Sequence, residues 1–405
     1  MSDREFTGFD EETVAEAVRQ PPLADLRAAA RSRRRRRSAG VAAAVIVALA
    51  GVAAVPLAAR SGGTDWAGPD QPPARPDRAG AVVLTDPDSG VAITQFRCTV
   101  RFAHTDDGGR TWSDWDEAHY RPSTCGSDDD APDLEYAVLG QGVYLIREEA
   151  GSYLSTDGGR TWRDAGQAIV PVAAFPARAR PVFCQQGCGA VREPLAVDGS
   201  TVYRLTGKSP SPYPPFSIYP AADGSVWVTY WPGDPDQPIV ARSADRGATW
   251  TSWRPEVGAN VVAAVGADER EGYLLIEPGP PLGSTTLTGP ARLLRTMDGG
   301  RTWVDTDTDL PATQANPNFT IGSDGSLLVS LWGDDAPEPS AKLLVSRDGG
   351  RHFSVARDYR SLEGTAGVAP GRAWLYGRDD RSEALPDHVI VTADGTNWTR
   401  IPLPH

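Results

Sequence analysis

A chain of 405 residues with 40% hydrophobic content can bury a sizeable core, which excludes a wholly disordered protein. Its 42 Gly and 35 Pro argue against a helical bundle and for many short strands joined by tight turns. The net charge of −13 carries no electrostatic footprint for nucleic acid, so no nucleic-acid partner is expected.

Residues 1–37 hold nine arginines against seven carboxylates, a local excess of +2 that leaves −15 for the rest. Asp10 to Gln20 and Leu23 to Arg31 read as two short helices broken by Pro21-Pro22. Ser38 to Ala59 follows without a charge. As a helix its 22 residues would reach about 33 Å, enough for the hydrocarbon core of a bilayer. Arg31 and Arg33 to Arg37 flank it on one side, which sets residues 1–37 as a cytoplasmic basic arm and 38–59 as a transmembrane helix. The expected location is the cell membrane, single-pass, with everything after the helix extracytoplasmic. A cleaved signal peptide is the rival, with Val52-Ala53-Ala54 as its cleavage site, but the charged lead is long for one. Residues 60–79, rich in Gly, Pro and Asp, read as a stalk.

From residue 80 to residue 405 the dominant signal is repetition. The pattern Ser/Thr-x-Asp-x-Gly-x-Thr-Trp places Asp107, Gly109 and Trp112 in the first copy and Asp157, Gly159 and Trp162 in the second. It returns with Asp245, Gly247 and Trp250, then with Asp298, Gly300 and Trp303. Two worn copies carry Asp348, Gly350 and Phe353, and Asp394 with Trp398. The closing aromatics are 50, 88, 53, 50 and 45 residues apart, so the long gap hides a further unit. Val197 to Tyr203 sits in that gap and keeps only an Asp-Gly turn. Seven units of about 47 residues then fill the region, the size of a four-stranded propeller blade.

The motif has a mechanical reading. The Asp157 carboxylate can accept nearby backbone N–H groups, Gly159 allows a positive φ, and Trp162 opens the next strand and packs into the core of its own repeat. The fourth unit spells out the plan: strands over Phe216 to Ala221, Val226 to Trp231, Ile239 to Arg242 and Trp250 to Arg254.

On these octets, residues 80–405 resemble the Asp-box, or BNR-repeat, β-propellers, a superfamily that includes the sialidases and non-catalytic exported propellers. The resemblance implies an all-β, seven-bladed propeller of antiparallel four-stranded blades. It implies that the box carboxylates are structural, and that ligands meet the opposite face, formed by the loops between second and third strands and by the links between blades. Candidates on that face are Tyr213, Phe216, Trp231, Asp234, Asp236, Trp332, Asp334, Asp335, Asp379 and Asp380. The acids among them could gather calcium, though no tight calcium-loop motif occurs and no cofactor is otherwise expected.

Four cysteines allow three pairings, and proximity favours Cys98–Cys125 and Cys184–Cys188. Sialidase chemistry would need three convergent arginines, a Tyr–Glu nucleophile pair and an acidic acid/base. The Arg-Ile-Pro motif of that family is missing between Gly80 and Phe96, and Arg147, Arg180, Arg192 and Arg292 show no sign of convergence. The five histidines show no metalloprotease spacing and no carboxylate pairing. The expected function is non-catalytic binding of a protein or glycan, with a sialidase-like glycosidase or an assembly or sensor factor for a membrane complex as alternatives.

Overall fold

The computed structural model describes residues 79–404 apart from 97, 124, 126–133, 232–236, 257–258, 279–289, 312–316, 334–339, 361–365 and 380–384. The chain divides into Met1–Pro72 and Pro73–His405, and the arm, the apolar segment and the stalk through residue 78 lie outside the described residues. Among those described, no helix is long and apolar enough to cross a membrane.

The described strands form seven four-stranded sheets. Six are antiparallel meanders laid down in chain order from the axis outward. Blade 1 runs from Ala81–Leu84 through Gly90–Phe96 and Thr99–Thr105 to His119–Tyr120. Blade 2 runs from Glu135–Gly140 through Val143–Glu148 and Gly151–Ser155 to Arg163–Asp164. Blade 4 comprises Pro215–Pro220, Val226–Tyr230, Ile239–Ser243 and Thr251–Trp253, close to the bounds read from the sequence. Blade 5 spans Ala259–Gly266 to Val304–Asp305, blade 6 Asn318–Ile321 to Ser354–Arg360, and blade 7 Ala366–Ala369 to Thr399–Pro402. The second strand of blade 4 is buried on both sides: every residue of Val226–Tyr230 is buried, which is why it reads as a continuous apolar run.

Blade 3 departs from the expected antiparallel plan. From the axis outward it holds Arg180–Pro181, Leu195–Asp198, Thr201–Leu205 and Val170–Val172. The last of these precedes the others in the chain and pairs parallel with Thr201–Leu205. Without an Asp box the unit has no hairpin to lead into an outer strand, so the chain supplies one beforehand, after the short helix α1 (Ala165–Ala168).

The core lies between neighbouring sheets. Phe102 of blade 1 stacks on Tyr144 of blade 2 with ring centroids 4.4 Å apart. The ring closes between the last blade and the first: Tyr376 Oη accepts from Val82 N at 2.8 Å and donates to Val82 O at 3.1 Å. Trp112 Nε1 donates to Pro402 O at 3.0 Å. Seven sheets closed in this way make a seven-bladed β-propeller. Ala79, read as stalk, is fully buried with Trp374 and Ile401 in the same seam, so the packed domain starts before residue 80.

Each box is a hydrogen-bonded corner. In blade 2, Ser155 Oγ donates to Asp157 Oδ1 at 2.9 Å and accepts from Gly159 N at 2.8 Å. Thr161 N and Oγ1 donate to the two Asp157 oxygens at 2.9 and 2.6 Å. Gly159 has a φ of 85°, and a Cβ there would lie 2.9 Å from Ala118 Cβ of blade 1. The glycine therefore serves both a left-handed turn and the close approach of the preceding blade. The tryptophan works across the same seam, which corrects the expectation that it packs within its own repeat. Trp162 Nε1 donates to His119 O of blade 1 at 2.8 Å, and Trp303 packs on Trp227 and Trp253 of blade 4.

The corner is acid-sensitive. Hydrogen bonds from Thr111 hold the Asp107 carboxyl at about 2, and those from Asn397 and Thr396 hold Asp394 at about 2. Asp298 and Asp348 are also lowered by their hydrogen bonds, and Asp157 and Asp245 are lowered despite the opposing effect of burial. A depressed carboxyl stabilises the fold above its unfolded pKa and loses that contribution as pH falls through the folded value. Stability measured by urea denaturation should hold down to about pH 4 and fall steeply toward pH 2. The Asp107→Asn protein should show a shallower fall.

Candidate functional site

The two faces of the ring separate by hydrogen bonding. Gly108 N donates to Asp88 O at 2.8 Å, Gly158 N to Gly142 O at 2.8 Å and Gly299 N to Arg270 O at 2.9 Å. Each bond ties a box to the turn between first and second strands of its own blade. The boxes therefore share one face, and the loops between second and third strands, with the blade links, share the other.

On that second face the axis is occupied. The segment that begins with Arg180–Pro181 continues along the inner edge of blade 4, where Cys184 and Ile218 exchange N–H···O bonds of 3.0 and 2.8 Å. Gly187 N donates to Phe216 O at 2.8 Å. The Gln185 side-chain amide pairs with Phe319 of blade 6, donating to its carbonyl at 2.8 Å and accepting from its N–H at 2.9 Å. Gln186 Nε2 donates to Pro317 O at 2.7 Å. Gly189 lies so near blade 2 that a Cβ would stand 2.6 Å from Tyr136 O. Phe183 packs against the cores of blades 4 to 6, 6 to 7, and 7 to 1. Contacts with the inner strands of blades 2, 4 and 6 can be made together only from the axis. Two disulfides, Cys98–Cys125 and Cys184–Cys188, have Cα separations of 5.9 and 5.3 Å, and the second closes this axial loop.

Beside the loop sit three of the ligand-face candidates. Phe216 and Trp231 meet edge to face with centroids 5.4 Å apart. Trp231 is 47% exposed and Tyr213 37%, so this aromatic surface faces solvent. Trp332 lies in Leu327–Gly333 of blade 6, in the register position of Trp231. Asp234, Asp236, Asp334, Asp335 and Asp380 lie outside the described residues, so a calcium site built on them has no geometry here.

Asp379 falls in a cluster that the sequence reading overlooked. His388 is fully buried at the start of His388–Thr392, hydrogen-bonded through Nδ1 to Asp387 and through Nε2 to Tyr359 Oη at 2.5 Å. That overturns the expectation that no histidine pairs with a carboxylate; His352 also meets Asp348, at 2.8 Å. Asp379 N donates to Asp387 at 2.7 Å and its carboxylate is ion-paired by Arg400, whose guanidinium lies 3.9 Å from Asp387. Burial opposes ionisation of Asp387, yet the Asp379 N–H and His388 hold its pKa below the usual range. Asp379, Asp387 and His388 offer metal-type donors within 4.8 Å of one another, but Arg400 already supplies the positive charge.

The requirements for sialidase chemistry are met only in fragments. Arg147 and Arg192 both pair with Glu135, whereas Arg180 pairs with Asp86 and Arg292 with Asp305, so these four form no carboxylate clamp. Tyr–Glu pairs do exist: Tyr120 Oη donates to Glu148 at 3.0 Å, and Tyr273 Oη to Glu271 at 2.5 Å, where burial and the carboxylate likewise push the tyrosine pKa up. Tyr120 belongs to the outermost strand of blade 1 and is 8% exposed. Burial, then Glu148, pushes its pKa up, the reverse of activation. Glu277, at the ligand-face end of Gly272–Pro278, is 2% exposed with Oε1 unpartnered among the described residues, and burial raises its pKa to about 7.

No family model and no curated protein matches the chain. Solved structures similar to it include a GH74 xyloglucanase from Xanthomonas campestris, at 17% identity and a TM-score of 0.35 over 80% of this chain and 46% of that one. Another is YCF48 bound to D1 peptide, at 15% identity and 0.30 over 79% and 80%. A Hadza microbial sialidase is 18% identical, at 0.30 over 66% and 55%. The chain thus spans about half the length of the xyloglucanase. Likenesses this distant do not bear on activity.

His388→Ala should destabilise the protein by about 2–4 kcal/mol in urea denaturation, because it strands Asp387 and Tyr359 and empties a buried site. Tyr359→Phe, which removes one hydrogen bond, should cost about 1 kcal/mol.

Proposed function

We propose that the chain is a membrane-anchored, extracytoplasmic propeller that binds a protein or glycan ligand on the loop face without catalysis. Anchoring rests on the uncharged stretch from Ser38 to Ala59 and its arginine flank. The single observation that carries the binding reading is the occupied axis. The Cys184–Cys188 loop fills the position where a propeller would gather groups from several inner strands into a central active site. Recognition then falls to the surface beside it, where Tyr213, Phe216 and Trp231 present aromatic area that loses little side-chain entropy on contact. A protein ligand is favoured, since exposed aromatic area of this kind is enriched at the centres of protein interfaces.

A photo-cross-linking residue at position 213 of the full chain, expressed in cells, should capture a discrete species. Trp231→Ala should reduce that yield about ten-fold, the scale of a lost aromatic anchor, with little change in stability. No captured species, or one indifferent to Trp231, would contradict the proposal.

A second reading, glycoside hydrolysis, is favoured by Glu277 alone: a buried carboxyl raised to about 7 suits a general acid. The full chain should fail to turn over fluorogenic sialosides and aryl glucosides. Turnover that Glu277→Gln abolishes would install this second reading instead.

A further inference from the structure

The sequence Cys184-Gln185-Gln186-Gly187-Cys188 does more than fill space. Within its closed ring, Gln186 has a φ of 60° and Gly187 a φ of 101°, with Gly189 at 52° just beyond. Gln186 is one of only three non-glycine residues with positive φ among those described, a conformation that L-residues adopt rarely. The same ring aims the amides of Gln185 and Gln186 at blade 6, across the axis from the blade 4 edge that Cys184 and Gly187 engage. The cross-axis bonds therefore depend on a backbone shape that the disulfide encloses. Cys184 is partly exposed, whereas Cys188 is 6% exposed, so an attacking thiol meets Cys184 first. Cys98–Cys125 lies elsewhere, within blade 1 and its continuation, and spans 27 residues rather than 4.

We propose that Cys184–Cys188 is a thiol–disulfide exchange site for a dithiol protein, and that its reduction releases the axial loop from blade 6. A thiolate of the dithiol attacks Cys184 Sγ, the Cys184–Cys188 bond breaks, and Cys188 leaves as a thiolate that takes up a proton. The second thiol of the partner then attacks the mixed disulfide, leaving with both partner sulfurs joined and Cys184 as a thiol. Two electrons pass from the dithiol to the loop, and the partner departs oxidised. With the ring open, Gln186 is free to leave the left-handed region and the two glutamine amides lose their fixed aim. The ligand-face end of the axis opens. This holds whether the ligand beside it is a protein or a glycan, so it stands or falls separately from the binding proposal.

The oxidised full-length protein is incubated with reduced thioredoxin, and in parallel with dithiothreitol, then alkylated and followed by amide hydrogen exchange. Alkylation is expected at Cys184 and Cys188 before Cys98 and Cys125. Exchange at Ile218 and Phe319, whose N–H groups the loop accepts, should quicken about ten-fold or more, while Gly109 and Gly159 in the boxes stay protected. Cys184→Ser with Cys188→Ser should reproduce the fast exchange without reductant; the wild-type arm decides the matter if that variant does not fold. Earlier opening of Cys98–Cys125, resistance of Cys184–Cys188 to both reductants, or free thiols with unchanged exchange at Ile218 and Phe319 would each overturn the proposal.

Discussion

A blade of this protein cannot cover its own faces. Each sheet is apolar on the side that meets its neighbour, and burial of that side, at roughly 25 cal/mol per Å², requires the next blade to approach closely. The Asp-box glycines allow the approach. A Cβ on Gly159 would strike Ala118 of the preceding blade, and one on Gly300 would crowd Trp227. The tryptophan three residues on then reaches back over the same seam, as Trp162 does to His119. Box and seam form one device, repeated until Trp112 meets Pro402 and the ring has no open end.

Much of this was legible in the sequence because the device is local. The hydroxyl, carboxylate, glycine and threonine of a box lie within seven residues, and their bonds link positions two or four apart. The 88-residue gap told of a worn unit, and the turn at Asp198-Gly199 does join two strands of blade 3. What the sequence concealed was long-range. Nothing local says that Val170–Val172 will lie parallel to a later strand, or that Trp162 serves the preceding blade rather than its own.

The candidate binding surface shows the same division. Tyr213 and Phe216 were visible in a blade link and Trp231 at the end of the second strand of the same blade, so one local hairpin is enough to bring Phe216 and Trp231 together. Gln185 and Gln186 were not, because their partners at Phe319 and Pro317 stand 134 and 131 positions away. The Asp387-His388 adjacency was in plain view, but its value depended on Tyr359 from another blade. Glu277 gave no signal either, since a lone glutamate in a strand looks solvated until its burial is known. That the axis is filled from within, on which the proposed binding reading rests, follows only from the fold.

The fold depends on closure of the ring between blades 7 and 1. Ending the chain after Trp398 removes Thr399–Pro402, and with it the carbonyl that receives Trp112 and the Ile401 side chain that packs under Gly109. Thermal unfolding of that truncated protein, followed by tryptophan fluorescence, should lose its single cooperative transition and begin well below the full-length midpoint. A transition as sharp and as high as that of the intact chain would mean that the blades do not depend on closing the circle.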